Sequence, residues 1–232
     1  MKNQLRPLSD FQGSMALRAY ESLKDAILTL KFKPGELLKK PAICIELDIS
    51  RSPLADALSR LALDNLVSII PQAGTYVAKI SMEEIREAAF LREALELAAV
   101  NHVAPQITNQ QLQQARRSLR AQVAAIDDRD LTQFYQLDEE FHEMLLSFTG
   151  YPRVAGMAKS SWIHVNRARK LLLPLSSRLD DALKEHGNIV DALEARNAEM
   201  AVQAMSHHLN QLIKIIQDMY LRQPNLFTIN ER

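Results

Sequence analysis

Apolar residues recur every three or four positions through most of this chain, and this spacing constrains the fold more than any other feature. From Ser81 onward the pattern runs through six successive segments that are separated by short polar stretches. Such spacing places apolar side chains on one face of an α-helix. The chain has only six glycines, and no repeat unit recurs along it. The sequence therefore predicts an all-helical bundle rather than a solenoid of stacked repeats.

The boundaries of these helices follow from the polar residues between them. Thr108 to Gln111 has the residue types of a capping box, which satisfies backbone N–H groups at the start of a helix. The six helices are expected at residues 82–103, 108–126, 130–148, 152–173, 176–195 and 197–222.

The first 80 residues have a different pattern. Residues 16–30 and 40–47 predict two helices, and the stretch ISRSPLADALSRL predicts a third. Two β-rich runs, LVSII and GTYVAKI, flank PQAG, which is a hairpin signal with Gly74 near its tip. Three helices followed by a hairpin are the layout of a winged helix-turn-helix, whose third helix enters the major groove of DNA. The expected fold is thus mostly α, with a winged helix-turn-helix before the helical bundle.

The start of the third helix carries candidate DNA contacts. Arg51 lies between Ser50 and Ser52, where positive charge and free backbone N–H groups can face phosphates. Arg60 is a further candidate, and Gly74 would bring the wing toward the DNA backbone or minor groove. The alternative is that these arginines simply lie on exposed helix faces. Residues 1–80 hold 11 basic and 8 acidic side chains, whereas the remainder holds 17 basic and 20 acidic, which permits a DNA-binding front.

Three of the C-terminal helices carry polar side chains on their apolar faces. Asp138 and His142 are four residues apart on one such face, and His186 and His208 lie on two others. A buried carboxylate costs several kcal/mol unless it is paired or bound to a cation. The four residues are therefore a candidate set for a divalent metal, with imidazole suiting Zn²⁺ or Ni²⁺. A hydrogen-bonded polar core without metal, or a proton-transfer site, fits the same pattern.

Three arginines lie close to apolar runs and are candidates for binding an effector. Most arginines on helices are solvated, but Arg92, Arg167 or Arg169 could instead hold a carboxylate ligand beside the metal. A metalloenzyme that acts on a small carboxylate, with the N-terminal region as an interaction module, is the alternative function. No further buried acid or base is expected near the metal set, and Glu185 is expected to point away from it, which argues against catalysis.

The motifs together resemble a transcription regulator of the GntR family, FadR type, with an FCD ligand-binding domain. The front motif is KPGELL, ISRSPLADALSRL and DNLVSIIPQAGTYV, and the back motif is DEEFH, EHGNIVDAL and AMSHHL. The resemblance covers about residues 15–222. It implies that the Asp and three His hold a metal, that a small organic acid or sugar acid binds at or beside it with help from Arg92, and that a homodimer reads a palindromic operator in double-stranded DNA.

Two departures from the family pattern affect the DNA contacts. Ala55-Asp56 stands where the family usually has Arg-Glu, which removes one basic contact worth ~1–3 kcal/mol of base discrimination. Lys39 and Lys40 replace a commonly acidic position and are candidates for other phosphate contacts. The operator is therefore expected to differ from the usual family sequence.

The remaining features give the expected domains and location. The chain is expected to divide into a flexible arm (1–14), the winged domain (15–80), the FCD-like metal- and effector-binding domain (81–223) and a C-terminal tail (224–232). No apolar run approaches the ~18 residues that span a membrane. The N-terminus lacks the apolar core of a signal peptide, and Cys44 is the single cysteine, so a cytoplasmic protein is expected.

Overall fold

The computed structural model describes residues 5–172 and 177–222, together with residues 224, 227 and 228. The chain forms two compact units, and each has its own core. The first unit comprises Met1–Met82, Asn166–Leu171 and Gln223–Arg232. The second unit comprises Glu83–Val165 and Leu172–Arg222. We refer to them as the winged unit and the helical unit.

The winged unit contains three helices and a two-stranded antiparallel sheet, as the sequence predicts. The elements are α1 (Met15–Leu28), α2 (Lys40–Leu47), α3 (Arg51–Leu63), β1 (Val67–Ile70) and β2 (Gly74–Val77). Asp48 adopts a left-handed conformation directly after α2, which ends that helix and turns the chain into α3.

Helix α3 buries one apolar stripe against α1. Leu54, Ala57, Leu58 and Leu61 are the buried residues of α3, and they are the inward stripe that its three- and four-residue spacing predicts. Burying a leucine side chain stabilises a fold by ~1.5–3 kcal/mol. The opposite face of α3 is exposed.

The wing is attached to the segment that precedes α2. Leu38 donates a backbone hydrogen bond to Thr75, and Val77 donates one to Glu36, each at 2.8 Å. Gly74 begins β2 with a φ of +132°, and a Cβ atom built at this position would lie 2.8 Å from Leu37 Cδ1. Glycine is therefore favoured here by the backbone conformation, and an added Cβ would also displace the Leu37 methyl group.

The segment before α1 differs from the flexible arm that the sequence suggests. Leu5 is buried, and its backbone N–H donates to the Glu46 carboxylate at 2.8 Å. The Ser22 hydroxyl donates to the Arg6 carbonyl at 2.7 Å, which fixes residues 5 and 6 beside α1 and α2. Near the other terminus, Phe227 is buried, and Thr228 donates to the Ile80 carbonyl at 2.8 Å. Most of the expected tail lies outside the described residues.

The helical unit consists of long helices whose bounds lie within two residues of those expected from the sequence. They are α4 (Met82–Val103), α5 (Asn109–Asp127), α6 (Leu131–Ser147), α7 (Pro152–Leu172), α8 (Ser177–Glu194) and α9 (Ala198–Arg222). Two parts of these helices, Met82 of α4 and Asn166–Leu171 of α7, belong to the winged unit. The predicted capping box at the start of α5 is confirmed, with Thr108 and Gln111 each accepting the other's backbone N–H.

The core of the helical unit brings the apolar faces of several helices together. Helix α5 packs against α6 and α8, and α8 packs against α9. Phe141, Ile189 and Met205 belong to one buried apolar cluster contributed by α6, α8 and α9. The same three helices carry the polar residues singled out in the sequence, so their packing decides whether those residues meet.

Candidate metal centre and DNA-binding surface

Four polar side chains from three helices meet in the core of the helical unit. Asp138 and His142 extend from α6, His186 from α8 and His208 from α9, and all four are buried. One potential ligand atom from each residue lies within 4.8 Å of all the others. The spacing of four residues on α6 is what places Asp138 and His142 one helical turn apart on the same face.

The Nε2 atoms of the three imidazole rings point at one another. His208 Nε2 lies 3.1 Å from His142 Nε2 and 3.2 Å from His186 Nε2. Asp138 Oδ1 lies 3.6 Å from His186 Nε2, and Asp138 Oδ2 lies 4.0 Å from His142 Nε2. The three nitrogens and the carboxylate thus surround one small volume.

The opposite nitrogen of each ring contacts an oxygen outside this group. His142 Nδ1 lies 2.5 Å from Glu96 Oε2, and His208 Nδ1 lies 2.7 Å from Glu185 Oε2. His186 Nδ1 lies 2.7 Å from the amide oxygen of Gln122. Because an ionised carboxylate or an amide oxygen only accepts hydrogen bonds, these contacts assign the ring proton to Nδ1.

The charge states of the partners support that assignment. Burial raises the pKa of Glu96, but Arg92 and His142 outweigh burial and hold the pKa at about 2. Burial also acts to raise the pKa of Glu185, and hydrogen bonds from His208 and Arg178 lower it below its usual value. Burial lowers the pKa of His208 to about 4, so its ring is neutral near pH 7. Both glutamates are therefore acceptors, and Nε2 of the neutral His208 ring carries a lone pair.

This arrangement fits a divalent cation. His208 Nε2 lies just over 3 Å from the Nε2 atoms of both other rings, and nitrogen lone pairs this close repel unless a positive charge lies between them. Histidines that bind a metal through one nitrogen usually donate the other N–H to a carboxylate or carbonyl group, as all three do here. Asp138 adds a negative oxygen, so the set could hold a metal that accepts nitrogen and oxygen ligands.

The sequence reasoning missed the residues that surround this set. The expectation that no further acid lies nearby, with Glu185 pointing away, is wrong. Glu185 precedes His186 and is rotated about 100° from it on α8, and this rotation directs it to His208 on α9. Glu96 on α4 and Gln122 on α5 were also missed. A signal existed for Glu96, because it follows Arg92 by four residues on the buried face of α4.

The three arginines that were predicted to bind an effector have different described contacts. Arg92 is buried beside the metal set, with its Nε donating to Glu96 Oε1 at 2.7 Å and its Cζ 4.6 Å from the centre of the Trp162 ring. Arg167 donates to the carbonyl of Ala78, within the winged unit. Arg169 lies in the same unit and donates to Asn166 Oδ1 at 3.4 Å. Arg92 is thus joined to the metal set through Glu96, which contacts His142.

The candidate DNA contacts lie on the surface of the winged unit. Arg51 and Ser52 are exposed in the first turn of α3, and Ser50 is the N-cap residue, although its side chain makes no capping hydrogen bond. Lys39 and Lys40 are exposed at the start of α2. The N-terminal ends of two helices and three basic side chains are therefore available to phosphates.

Arg60 and Gly74 occupy different positions from this group. Arg60 follows Arg51 by nine residues, which at 3.6 residues per turn places it on about the opposite side of α3. Its Cζ lies 5.9 Å from the centre of the Tyr20 ring. Gly74 begins the second strand of the wing directly after the turn, where it pairs with Ile70. Ala55 is exposed one turn after Arg51 on the same side of α3, whereas Asp56 is exposed one turn before Arg60.

Comparison with known families defines the class of the protein. The family model described as bacterial regulatory proteins, gntR family, matches residues 15–77, and the FCD domain model matches residues 87–211. The chain is a DNA-binding transcription regulator and not an enzyme, and its FCD domain implies a small-molecule effector. It belongs to the GntR family, with the FCD domain as its C-terminal part.

Individual relatives agree with this assignment. The chain is 30% identical over 206 residues to the HTH-type transcriptional repressor RspR of Escherichia coli (strain K12), covering 89% of this chain and 90% of that protein. It is 29% identical to an HTH-type transcriptional regulator in an unstable DNA locus of Streptomyces ambofaciens, covering 90% and 87% respectively. A crystal structure of a GntR protein from Rhodococcus sp. RHA1 superimposes with a TM-score of 0.78 at 28% identity, covering 90% of this chain and 100% of that one.

Two further findings bear on partners. FCD domains often bind a metal, and the buried Asp and three His are a group that could hold one. In the described part of the chain, no helix has the length and apolarity that crossing a membrane requires.

Proposed function

We propose that this protein is a ligand-responsive repressor whose operator affinity is set by a small organic acid or sugar acid bound at a divalent metal. The metal is Zn²⁺ or Ni²⁺, held by Asp138, His142, His186 and His208. The single observation that supports a bound metal is the orientation of the three histidines. Their Nε2 atoms converge, while each Nδ1 contacts an oxygen acceptor. The repressor role is supported by the similarity to RspR.

The acid effector follows from the charge of the centre. Three neutral imidazoles and one carboxylate leave a divalent ion with a net positive charge, which attracts an anion to any open coordination position. Arg92 is a second positive group beside the centre, and its terminal Nη groups have no hydrogen-bond partner among the described residues. A carboxylate held jointly by the metal and Arg92 is the binding mode that these charges favour. The same role for Arg167 and Arg169 stays a prediction.

The DNA-binding half of the proposal rests on symmetry. A homodimer of FadR type would present two α3 helices to a palindromic operator, about one turn of DNA apart. The functional domains would be residues 15–80 and 81–223, in a protein of the cytoplasm. Arg51, Ser50, Ser52, Arg60, Lys39, Lys40 and Gly74 are the proposed contacts. An effector that binds one dimer arrangement better than another would shift the population and so change operator affinity.

The first experiment is elemental analysis of the protein purified without chelators, beside a His142→Ala/His208→Ala variant. About one Zn²⁺ or Ni²⁺ per chain in the wild type, absent from the variant, is the expected result. A metal-free wild type would refute the metal centre and leave a hydrogen-bonded polar pocket in its place.

The second experiment measures DNA binding after operator fragments have been selected from random sequence. Affinity is expected to fall steeply with salt concentration and to change when a set of small carboxylic acids is added to the metal-loaded protein. Sedimentation of the complex gives the number of protomers on one operator. Affinity that responds to metal alone, with no acid having any effect, would instead identify a metal sensor.

A further inference from the structure

Two of the three imidazoles are held by a hydrogen-bonded chain of the same three residue types, in which an arginine contacts a glutamate and the glutamate contacts the histidine. In the first chain, Arg92 Nε contacts Glu96 Oε1 at 2.7 Å, and Glu96 Oε2 contacts His142 Nδ1 at 2.5 Å. In the second chain, Arg178 contacts both oxygens of Glu185 at 2.7 and 2.6 Å, and Glu185 Oε2 contacts His208 Nδ1 at 2.7 Å. Each glutamate therefore joins an arginine on its own helix to a histidine on another helix.

The third imidazole is held differently. His186 contacts Gln122, whose neutral amide oxygen needs no opposite charge, and Gln122 Nε2 lies 3.5 Å from Ser118 Oγ. The two charged acceptors, Glu96 and Glu185, thus each contact an arginine as well as a histidine. The neutral acceptor, Gln122, instead contacts the hydroxyl group of Ser118. This difference follows from electrostatics, because a buried carboxylate requires a positive partner and a buried amide does not.

The arginines also restrict the direction in which each glutamate points. A carboxylate that only a histidine contacts can rotate about its last bond, whereas one anchored through its second oxygen keeps a single orientation. Trp162 packs against the Arg92 guanidinium, and both oxygens of Glu185 are engaged by Arg178. With the carboxylate oriented, the imidazole that donates to it keeps one tautomer and one ring angle.

We propose that Arg92 and Arg178 are positioning residues of the metal centre, acting through Glu96 and Glu185 to direct the Nε2 lone pairs of His142 and His208 at the metal. The inference rests on the proposed metal site and deepens it. Arg92 then has two roles, since its Nε orients Glu96 and its Nη groups are the ones proposed to hold the carboxylate of the effector. Glu96 and Glu185 set the basicity of two ligands, and Gln122 leaves His186 the least polarised of the three.

The test is a titration of the metal-free, full-length protein with Zn²⁺ in competition with a chromophoric chelator, without any effector. Arg92→Met and Arg178→Met are each expected to weaken Zn²⁺ affinity by about 10–100-fold, the usual effect of losing an outer partner of a metal ligand. Arg116→Met is the matched control, because Arg116 pairs with Asp191 and Glu194 between α5 and α8 and its pairs involve no histidine. Its effect is expected to stay below about twofold.

A second readout separates positioning from general stability. Nitrogen-15 shifts of the imidazoles are expected to show Nδ1–H tautomers at all three histidines of the metal-free wild type. In Arg92→Met the tautomer preference is lost at His142 alone, in Arg178→Met at His208 alone, and His186 keeps its tautomer in both. If an arginine variant fails to fold, Glu96→Gln tests the first chain, because it keeps an acceptor oxygen and removes the charge.

Three results would overturn the inference. The first is wild-type Zn²⁺ affinity and unchanged tautomers in both arginine variants. The second is an equal loss of affinity in Arg116→Met, which would indicate a general effect of removing an ion pair. The third is a wild-type protein whose His142 and His208 lack the Nδ1–H tautomer. A wild type that binds no Zn²⁺ but shows the expected tautomers would refute the proposed metal and leave the orienting role of the arginines intact.

Discussion

The two units of this protein place their polar functional residues in opposite locations. In the winged unit, Arg51 and Ser52 are exposed on α3, and the buried face of that helix is entirely apolar. In the helical unit, Asp138, His142 and His186 lie in the middle of the core. A DNA-binding surface needs only a rigid apolar support beneath it, whereas an internal binding site must satisfy every polar group within the core. Substitutions should therefore have different consequences in the two units.

Metal binding should give the largest difference between the units. Zn²⁺ at about 1,000 times its dissociation constant is expected to raise the free energy of unfolding of the helical unit by ~4 kcal/mol. The winged unit should be unaffected, since the one candidate metal cluster in the described part of the chain lies in the helical unit. Calorimetry with Zn²⁺ and with a chelator measures both transitions. An equal shift of both transitions would show that the units do not respond separately.

Removing a surface arginine should affect DNA binding and leave the metal centre intact. Arg51→Ala is expected to weaken operator binding by ~1–3 kcal/mol, because a charged contact at the N-terminus of α3 is lost. Arg117→Ala removes an equally exposed arginine from α5 of the helical unit and is the control. Fluorescence anisotropy with a labelled operator gives both affinities. Equal losses in the two variants would mean that net charge, rather than the α3 surface, controls binding.

The same glycine substitution should have opposite effects in the two units. Gly74→Ala is expected to lower the free energy of unfolding of the winged unit by more than ~1 kcal/mol, because φ is +132° and Leu37 lies too close. Gly187→Ala lies in α8, where an added Cβ meets nothing within 4 Å, and it is expected to stabilise the helical unit by up to ~1 kcal/mol. Urea unfolding measures both. Stabilisation by Gly74→Ala would contradict the strained geometry of the wing.

The smallest expected effect is on how the stability of the winged unit depends on pH. Burial, together with the hydrogen bond and negative charge of Asp64, raises the pKa of Tyr20 above its usual value of 10.0. The folded state then keeps a proton that the unfolded state loses. Stability from Tyr20 is therefore complete below pH 10 and falls as pH rises further. Tyr20→Phe should flatten this decline in alkaline unfolding curves, and an unchanged slope would remove Tyr20 as its cause.

Much of the fold could be predicted because local spacing was sufficient. The buried face of α3 was predicted from the spacing of Leu54, Ala57, Leu58 and Leu61. The start of α5 was predicted from Thr108 and Gln111. The segment at residues 5–14 could not be predicted, because the contacts of Leu5 with Glu46 join residues 41 positions apart. No local pattern encodes a contact of that separation.

The residues of the candidate site also differ in whether local spacing could predict them. Asp138, His142, His186 and His208 were found because each interrupts an apolar stripe of its own helix. Glu96, Gln122 and Glu185 were missed because each acts on a histidine of a different helix. Arg60 lies about 180° from Arg51 around α3, and its contact with DNA stays a prediction.

The sequence by itself determined which residues form helices, which faces they bury and which polar side chains those faces carry, because all three depend on spacings within one turn or two. The tertiary structure alone decided that three Nε2 atoms face one another and that Glu96, Gln122 and Glu185 meet the opposite nitrogens. Those contacts depend on the relative rotation and register of packed helices. Rotation and register are set by the summed packing of many side chains, and no single motif records them.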